Sequence, residues 1–154
     1  MMKKNYIYFG ILIICTVALT LFLSYIYKSE VEESVSYSYE HLNKITSNEF
    51  DEYMIEHPDT IIYIADKTNL NNNKFEKRLI NKLEKLNLLE NVIYIEKEEM
   101  IAILQKKLKE NYGYNYNEDK LPAIIVINDG KTKQISIIRR DSDVDTIIDY
   151  EVFK

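Results

Sequence analysis

The sequence predicts an α/β fold, a mixed sheet flanked by helices and preceded by one N-terminal transmembrane helix. Three observations carry that expectation. Residues 6–27 contain no charged side chain, three short β-branched runs alternate with segments of helical period, and Asn128-Asp129-Gly130 offers a hairpin turn before a last strand.

Residues 6–27 read YIYFGILIICTVALTLFLSYIY. About 20 residues at 1.5 Å of rise each cross a hydrocarbon core. Tyr6 and Tyr8 at one end, and Tyr25 and Tyr27 at the other, stand where interfacial aromatics belong. A soluble core helix this long would need a polar stripe, and the run has none. A cleaved signal peptide has a shorter apolar region, about 7–15 residues, ending in small residues at a cleavage site. No such site follows here. A lipidated cysteine would need a small residue before it, but Cys15 follows Ile14 and the apolar run continues to Tyr27. The helix is read as an uncleaved signal anchor. Lys3 and Lys4 precede it and Lys28 alone follows before Glu30, so positive-inside bias puts residues 1–5 in the cytoplasm and the rest outside a single-pass cell membrane.

A length of 154 residues fits one domain beside that anchor. With 25 acidic and 20 basic residues the net charge is -5, which excludes a general nucleic-acid binder. The single cysteine excludes an intrachain disulfide and a thiolate zinc site. Membrane, and another protein or peptide, are the expected partners.

Residues 28–43 are polar, with Ser and Glu interleaved with Val and Tyr and no period, and are read as a stalk. The domain is read over 44–154. It opens on Ile45-Thr46-Ser47-Asn48-Glu49-Phe50, where Thr46 and Glu49 can form a capping box and Ile45 and Phe50 a hydrophobic staple, starting a helix that runs to about His57. Thr60 to Ala65 is a buried strand. A loop over 66–73 leads to a helix with Phe75, Leu79, Leu83 and Leu86 along one face. Val92 to Ile95 is a second buried strand, and Ile101, Leu104 and Leu108 mark another helix ending near Gly113. Leu121-Pro122 enters a third strand, Ala123 to Ile127. The Asp-Gly turn leads to an antiparallel partner over 133–140, and 143–150 form a last helix.

This order of elements resembles the thioredoxin superfamily over about 45–150, and most closely the small bacterial thioredoxin-like proteins of the bacteriocin-transport-accessory type. The landmarks are the strand ending at Ala65, the helix carrying Lys74-Phe75-Glu76, and the hairpin entered through Leu121-Pro122-Ala123. The resemblance implies a C-x-x-C motif opening that helix, but the two cysteines would fall on Asn69 and Asn72, flanking Leu70 and Asn71. Disulfide exchange needs a thiolate and a second sulfur to resolve the mixed disulfide. Asparagine can neither attack a disulfide nor carry electrons, so the domain is expected to be redox-inactive. The resemblance also implies a cis bond at Leu121-Pro122 beside the Asn loop. Two roles stay open for that loop. Asn69, Asn72 or Asn73 can cap the helix, or Asn69, Leu70, Asn71, Asn72, Leu121 and Pro122 can form a peptide groove that works by strand addition.

Other constellations point to little chemistry. His41 and His57 have no ligand at metal-site spacing. Asp141-Ser142-Asp143-Val144-Asp145 begins like a calcium loop, but Thr146 and Val152 stand where it needs Gly and Glu. Lys106, Lys107 and Lys109 read as a solvated face, and Tyr112, Tyr114 and Tyr116 as packing residues or a binding surface. There is no Ser/His/Asp set, phosphate loop or recognisable carboxylate pair. No catalytic residue, cofactor-binding residue, cofactor or metal is therefore assigned. The expected function is a membrane-anchored accessory module that binds protein or peptide in export, folding or maturation, with a non-thiol enzyme on the same fold as the alternative.

Overall fold

A computed structural model describes residues 2–32, 35–139 and 143–147. The chain divides into two compact units after Ser34, each described by itself.

The first unit is one helix, α1 (Met2–Glu32). None of its Tyr8–Tyr27 stretch is buried inside the protein, although a core helix of that length would be mostly covered. Its threonines turn their hydroxyls inward, Thr16 Oγ1 donating to Leu12 O and Thr20 Oγ1 to Thr16 O at 2.9 Å each. The stretch therefore presents apolar surface on every side over about 30 Å. It is long and apolar enough to cross a membrane, as a span or a signal sequence is.

The second unit is built on a five-stranded mixed sheet in the order β1-β3-β2-β4-β5. Its strands are β1 (Asn43–Lys44), β2 (Thr60–Ala65), β3 (Val92–Glu96), β4 (Ala123–Asn128) and β5 (Lys131–Ile137). The helices are α2 (Tyr37–His41), α3 (Phe50–Glu56), α4 (Asn73–Lys85), α5 (Ala102–Tyr112) and α6 (Val144–Ile147). The β-branched runs take the three central places, and nearly all their residues are buried, as strands covered on both faces must be. β1, β3 and β2 are mutually parallel, β2 and β3 being joined through α4, while β4 runs antiparallel to β2 and β5 to β4.

Alternation along these strands makes two cores. Ile61, Tyr63, Val92, Tyr94, Ile124 and Val126 face α4, whose Phe75, Leu79, Ile80 and Leu83 cover them together with Leu42 and Val144. Ile62, Ile64, Ile93, Ile95 and Ile125 face the other way, under Phe50 of α3 and Leu104 and Leu108 of α5. The β4–β5 turn has positive φ at both Asp129 (53°) and Gly130 (67°), the two-residue hairpin geometry the Asp-Gly pair favours. Gly113, at φ 72°, closes α5 with bonds from its own N–H to Lys109 O and from Tyr114 N to Leu108 O.

Several expectations change. Residues 35–43, read as part of a stalk, belong to the folded unit: α2 packs on α4, β1 pairs with β3, and Ser36 and Ser38 are fully buried. α3 starts at Phe50 because Glu49 Oε2 accepts from both the Thr46 N–H (3.1 Å) and the Thr46 hydroxyl (2.7 Å). Half of the capping box is made, and the threonine oxygen is spent donating rather than capping. Leu86 and Ile101, expected on apolar helix faces, lie just outside α4 and α5 and are partly exposed; Met100 takes the buried place beside Ile101. β5 begins at Lys131, two residues earlier than expected, because the turn needs only Asp129 and Gly130. Arg140, residues 141 and 142 of the calcium-like run, and residues 148–150 of the last helix lie outside the described residues.

Candidate functional site

The ends of β2 and β3 bring a polar loop to one edge of the sheet. Asp66 follows β2 and organises it. Its Oδ1 accepts from the Thr68 N–H at 2.8 Å and from the Thr68 hydroxyl, and its Oδ2 is 2.8 Å from Lys97 Nζ. The Lys97 and Thr68 hydrogen bonds hold the Asp66 carboxyl down to about 2. The Lys67 N–H donates to Glu96 Oε1 at 3.2 Å, and Lys67 O accepts from the Ser36 N–H at 2.7 Å. Glu96 sits beside Glu98, and burial first, then that neighbour, push its carboxyl up.

The Asn cluster follows at once. Asn69 is half-exposed and its Oδ1 accepts from the Asn71 N–H at 3.2 Å, capping a short 3-10 turn, Leu70–Asn72. Leu70 and Asn71 are exposed and Asn72 is buried. Asn73 Oδ1 accepts from the Tyr37 N–H at 3.0 Å. Asn69 thus caps the 3-10 turn and not α4 itself, whose N-cap residue Asn72 makes no side-chain cap bond, while Asn73 holds the α2 segment.

Leu121 is half-buried and Pro122 buried, and the bond between them is cis. Ala123 is registered opposite Ile64, so this step stands at the same end of the sheet as Asp66 and the Asn turn. Pro122 O accepts from the Ile138 N–H at 2.8 Å. Surface concavities lie elsewhere: beside α2 and Leu89–Glu90, along α5 at Gln105 and Tyr116, and along α3 at Tyr53. Neither the Asn turn nor Leu121 and Pro122 line any of these three.

Tyr112, Tyr114 and Tyr116 pack with the α3–α5 core and share it with Leu121. The Tyr112 ring meets Phe50 edge-on at 6.2 Å. Tyr114 is buried, its hydroxyl has no hydrogen-bond partner among the described residues, and burial pushes it up to about 12. His41 stacks on Tyr37 at 3.9 Å, and His57 leans on the Tyr53 ring at 4.3 Å. Among the described residues no three His, Cys, Asp or Glu side chains are grouped to hold a metal ion.

Sequence reasoning missed the buried carboxylate among the described residues. Glu76 lies in α4 at 0 % exposure, its Oε1 accepting from the Tyr63 hydroxyl and its Oε2 from the Ser38 N–H, both at 2.8 Å. Burial, and then the carboxylate beside it, raise the Tyr63 hydroxyl well above its ordinary range; the same two causes, with Glu96 as the carboxylate, raise Tyr94. A signal existed, since Glu76 is four residues before Ile80 and seven before Leu83, on the helix's apolar face.

These groups make an architecture of hydrogen-bonded anchors. Cys15 is the chain's one thiol and belongs to α1, so the sheet unit has no sulfur nucleophile. No protein-family model matches the chain, and no curated protein matches it. Fold and site together define an α/β protein with a mixed five-stranded sheet and one exposed apolar helix at its N-terminus.

Proposed function

We propose that this chain is a membrane-anchored, redox-inactive thioredoxin-like module. It holds an extended peptide or protein partner outside the membrane, as an accessory in export, folding or maturation. The observation that carries the reading is the register of β4 against β2. Ala123 opposite Ile64 brings Leu121 and Pro122 to the sheet end where the Asn69–Asn72 turn begins α4. The strand order, with three parallel strands on one side and an antiparallel hairpin on the other, supports the same fold. An extended peptide laid there would meet the exposed residues Leu70 and Asn71 and the half-buried Leu121. α1 serves as the anchor, with its N-terminus inside on the strength of Lys3 and Lys4.

Photo-crosslinkers installed singly at Leu70, Leu121 and Leu86 of the full-length chain test this in intact membranes. One discrete adduct shared by Leu70 and Leu121 and absent at Leu86 is expected. Equal capture at all three, or none, removes the groove. Protease added from outside should reach the sheet unit before lysis; digestion only after lysis reverses the orientation. Insulin reduction should stay at the level of a denatured control, because no cysteine follows Cys15.

A further inference from the structure

We infer that the outward face of α4, with the tyrosines of α2 beside it, rests on anionic phospholipid headgroups. The inference rests on the reading of α1 as a membrane span. The chain is acidic overall, with net charge -5, yet the exposed charged residues of α4 are Lys74, Lys77, Arg78 and Lys85, with Glu84 the one carboxylate among them. Lys82, half-exposed on the same helix, is 3.2 Å from Asp145 of α6.

Chain position gives the second argument. Ser36, whose N–H bonds to Lys67 O just beyond the end of β2, is the ninth residue after Tyr27, where the apolar stretch ends. α2 follows at once and packs on α4. Tyr37 and Tyr39 are half-exposed and carry lysine ammoniums on their rings, Lys77 at 5.3 Å and Lys44 at 4.2 Å. Half-exposed tyrosines beside lysines suit a headgroup layer, where an aromatic ring is apolar in body and polar at its tip and a cation meets phosphate. Glu40 of α2 is the acidic residue next to these rings in the chain, and it is exposed. The cations outnumber the carboxylates, so the face as a whole is drawn to negative charge and released by salt.

The test uses the full-length chain in nanodiscs of phosphatidylcholine alone or phosphatidylcholine mixed with phosphatidylglycerol. An amine-acylating reagent labels each lysine, and mass spectrometry gives the rate per site. Lys109, exposed on α5 across the sheet, is the internal reference. With phosphatidylglycerol present, labelling of Lys74, Lys77 and Lys85 should fall about threefold or more relative to Lys109, and recover in high salt. In the doubly substituted Lys74→Glu, Lys77→Glu chain, Lys85 should label at the same rate in both discs. A chain retained on the disc whose lysines label alike in both compositions overturns the headgroup contact and leaves the span standing. A chain lost from the disc overturns the span and the inference with it.

Discussion

The two faces of the sheet are covered by helices of similar size, yet they are built differently. Under α3 and α5 the buried side chains among the described residues are apolar apart from the Tyr114 hydroxyl and Thr60, whose hydroxyl donates to His57 O. Under α4 the core surrounds a carboxylate, Glu76, with Tyr63 and the backbone of α2 donating to it. An apolar core accepts any well-packed shape, whereas a buried carboxylate must have its donors in place. The α3–α5 face therefore supplies burial, and the α4 face additionally dictates how the chain enters the unit.

Removing α2 is the largest way to break that contrast. A chain of residues 44–154 loses Leu42 from the core and the Ser38 N–H from Glu76, and should be about 2–5 kcal/mol less stable than Val35–Lys154 in urea denaturation. Equal midpoints would mean that residues 35–43 are a stalk after all. Next come matched truncations across the sheet. Leu79→Ala under α4 and Leu108→Ala under α5, both fully buried, should each cost about 2–5 kcal/mol. A loss well below that on one side only would show that face to be loosely packed. Glu76→Gln keeps one acceptor and the shape but gives up the charge, and should cost about 1–3 kcal/mol by thermal denaturation. A gain in stability would mean the carboxylate is retained for something other than holding α2. The smallest effect belongs to Asp66. Its pKa, lowered from near 3.8 to about 2, gives stability that is complete above the ordinary value and lost as pH falls from about 4 through 2. Asp66→Asn should flatten that part of the stability profile by less than about 1 kcal/mol, since Asp66 and Lys97 are partly exposed. An unchanged profile would show the pair to be inert.

The same contrast explains what was legible. β2, β3 and β4 announced themselves as runs of Ile, Val and Tyr, and the Asp129-Gly130 turn by a residue pair suited to its positive φ. α4 was legible from Phe75, Leu79 and Leu83. α2 and β1 were not, because the segment is held by the backbone N–H bonds of Ser36 and Ser38 and by Tyr37, Tyr39 and Leu42, whose spacing follows no regular helical period. Glu76 was hidden for a related reason: a glutamate in a helix reads as solvated until its two donors, from elements far away in the chain, are known. The candidate groove was legible only as an order of elements, since its residues carry no reactive group that spacing alone could reveal.

Three successive backbone donors at the head of the sheet unit also give it a mechanical character. The N–H groups of Ser36, Tyr37 and Ser38 bond in turn to Lys67 O, Asn73 Oδ1 and Glu76 Oε2. Any tension arriving along the chain from α1 is borne first by these bonds, and only afterwards by the two-residue pairing of β1 with β3. Their acceptors all belong to the stretch from the β2 exit to the first turn of α4. A tug on the N-terminal chain is thereby delivered to the Asn turn before it reaches the central strands, so the unit would yield from that end while β2, β3 and β4 keep their pairing.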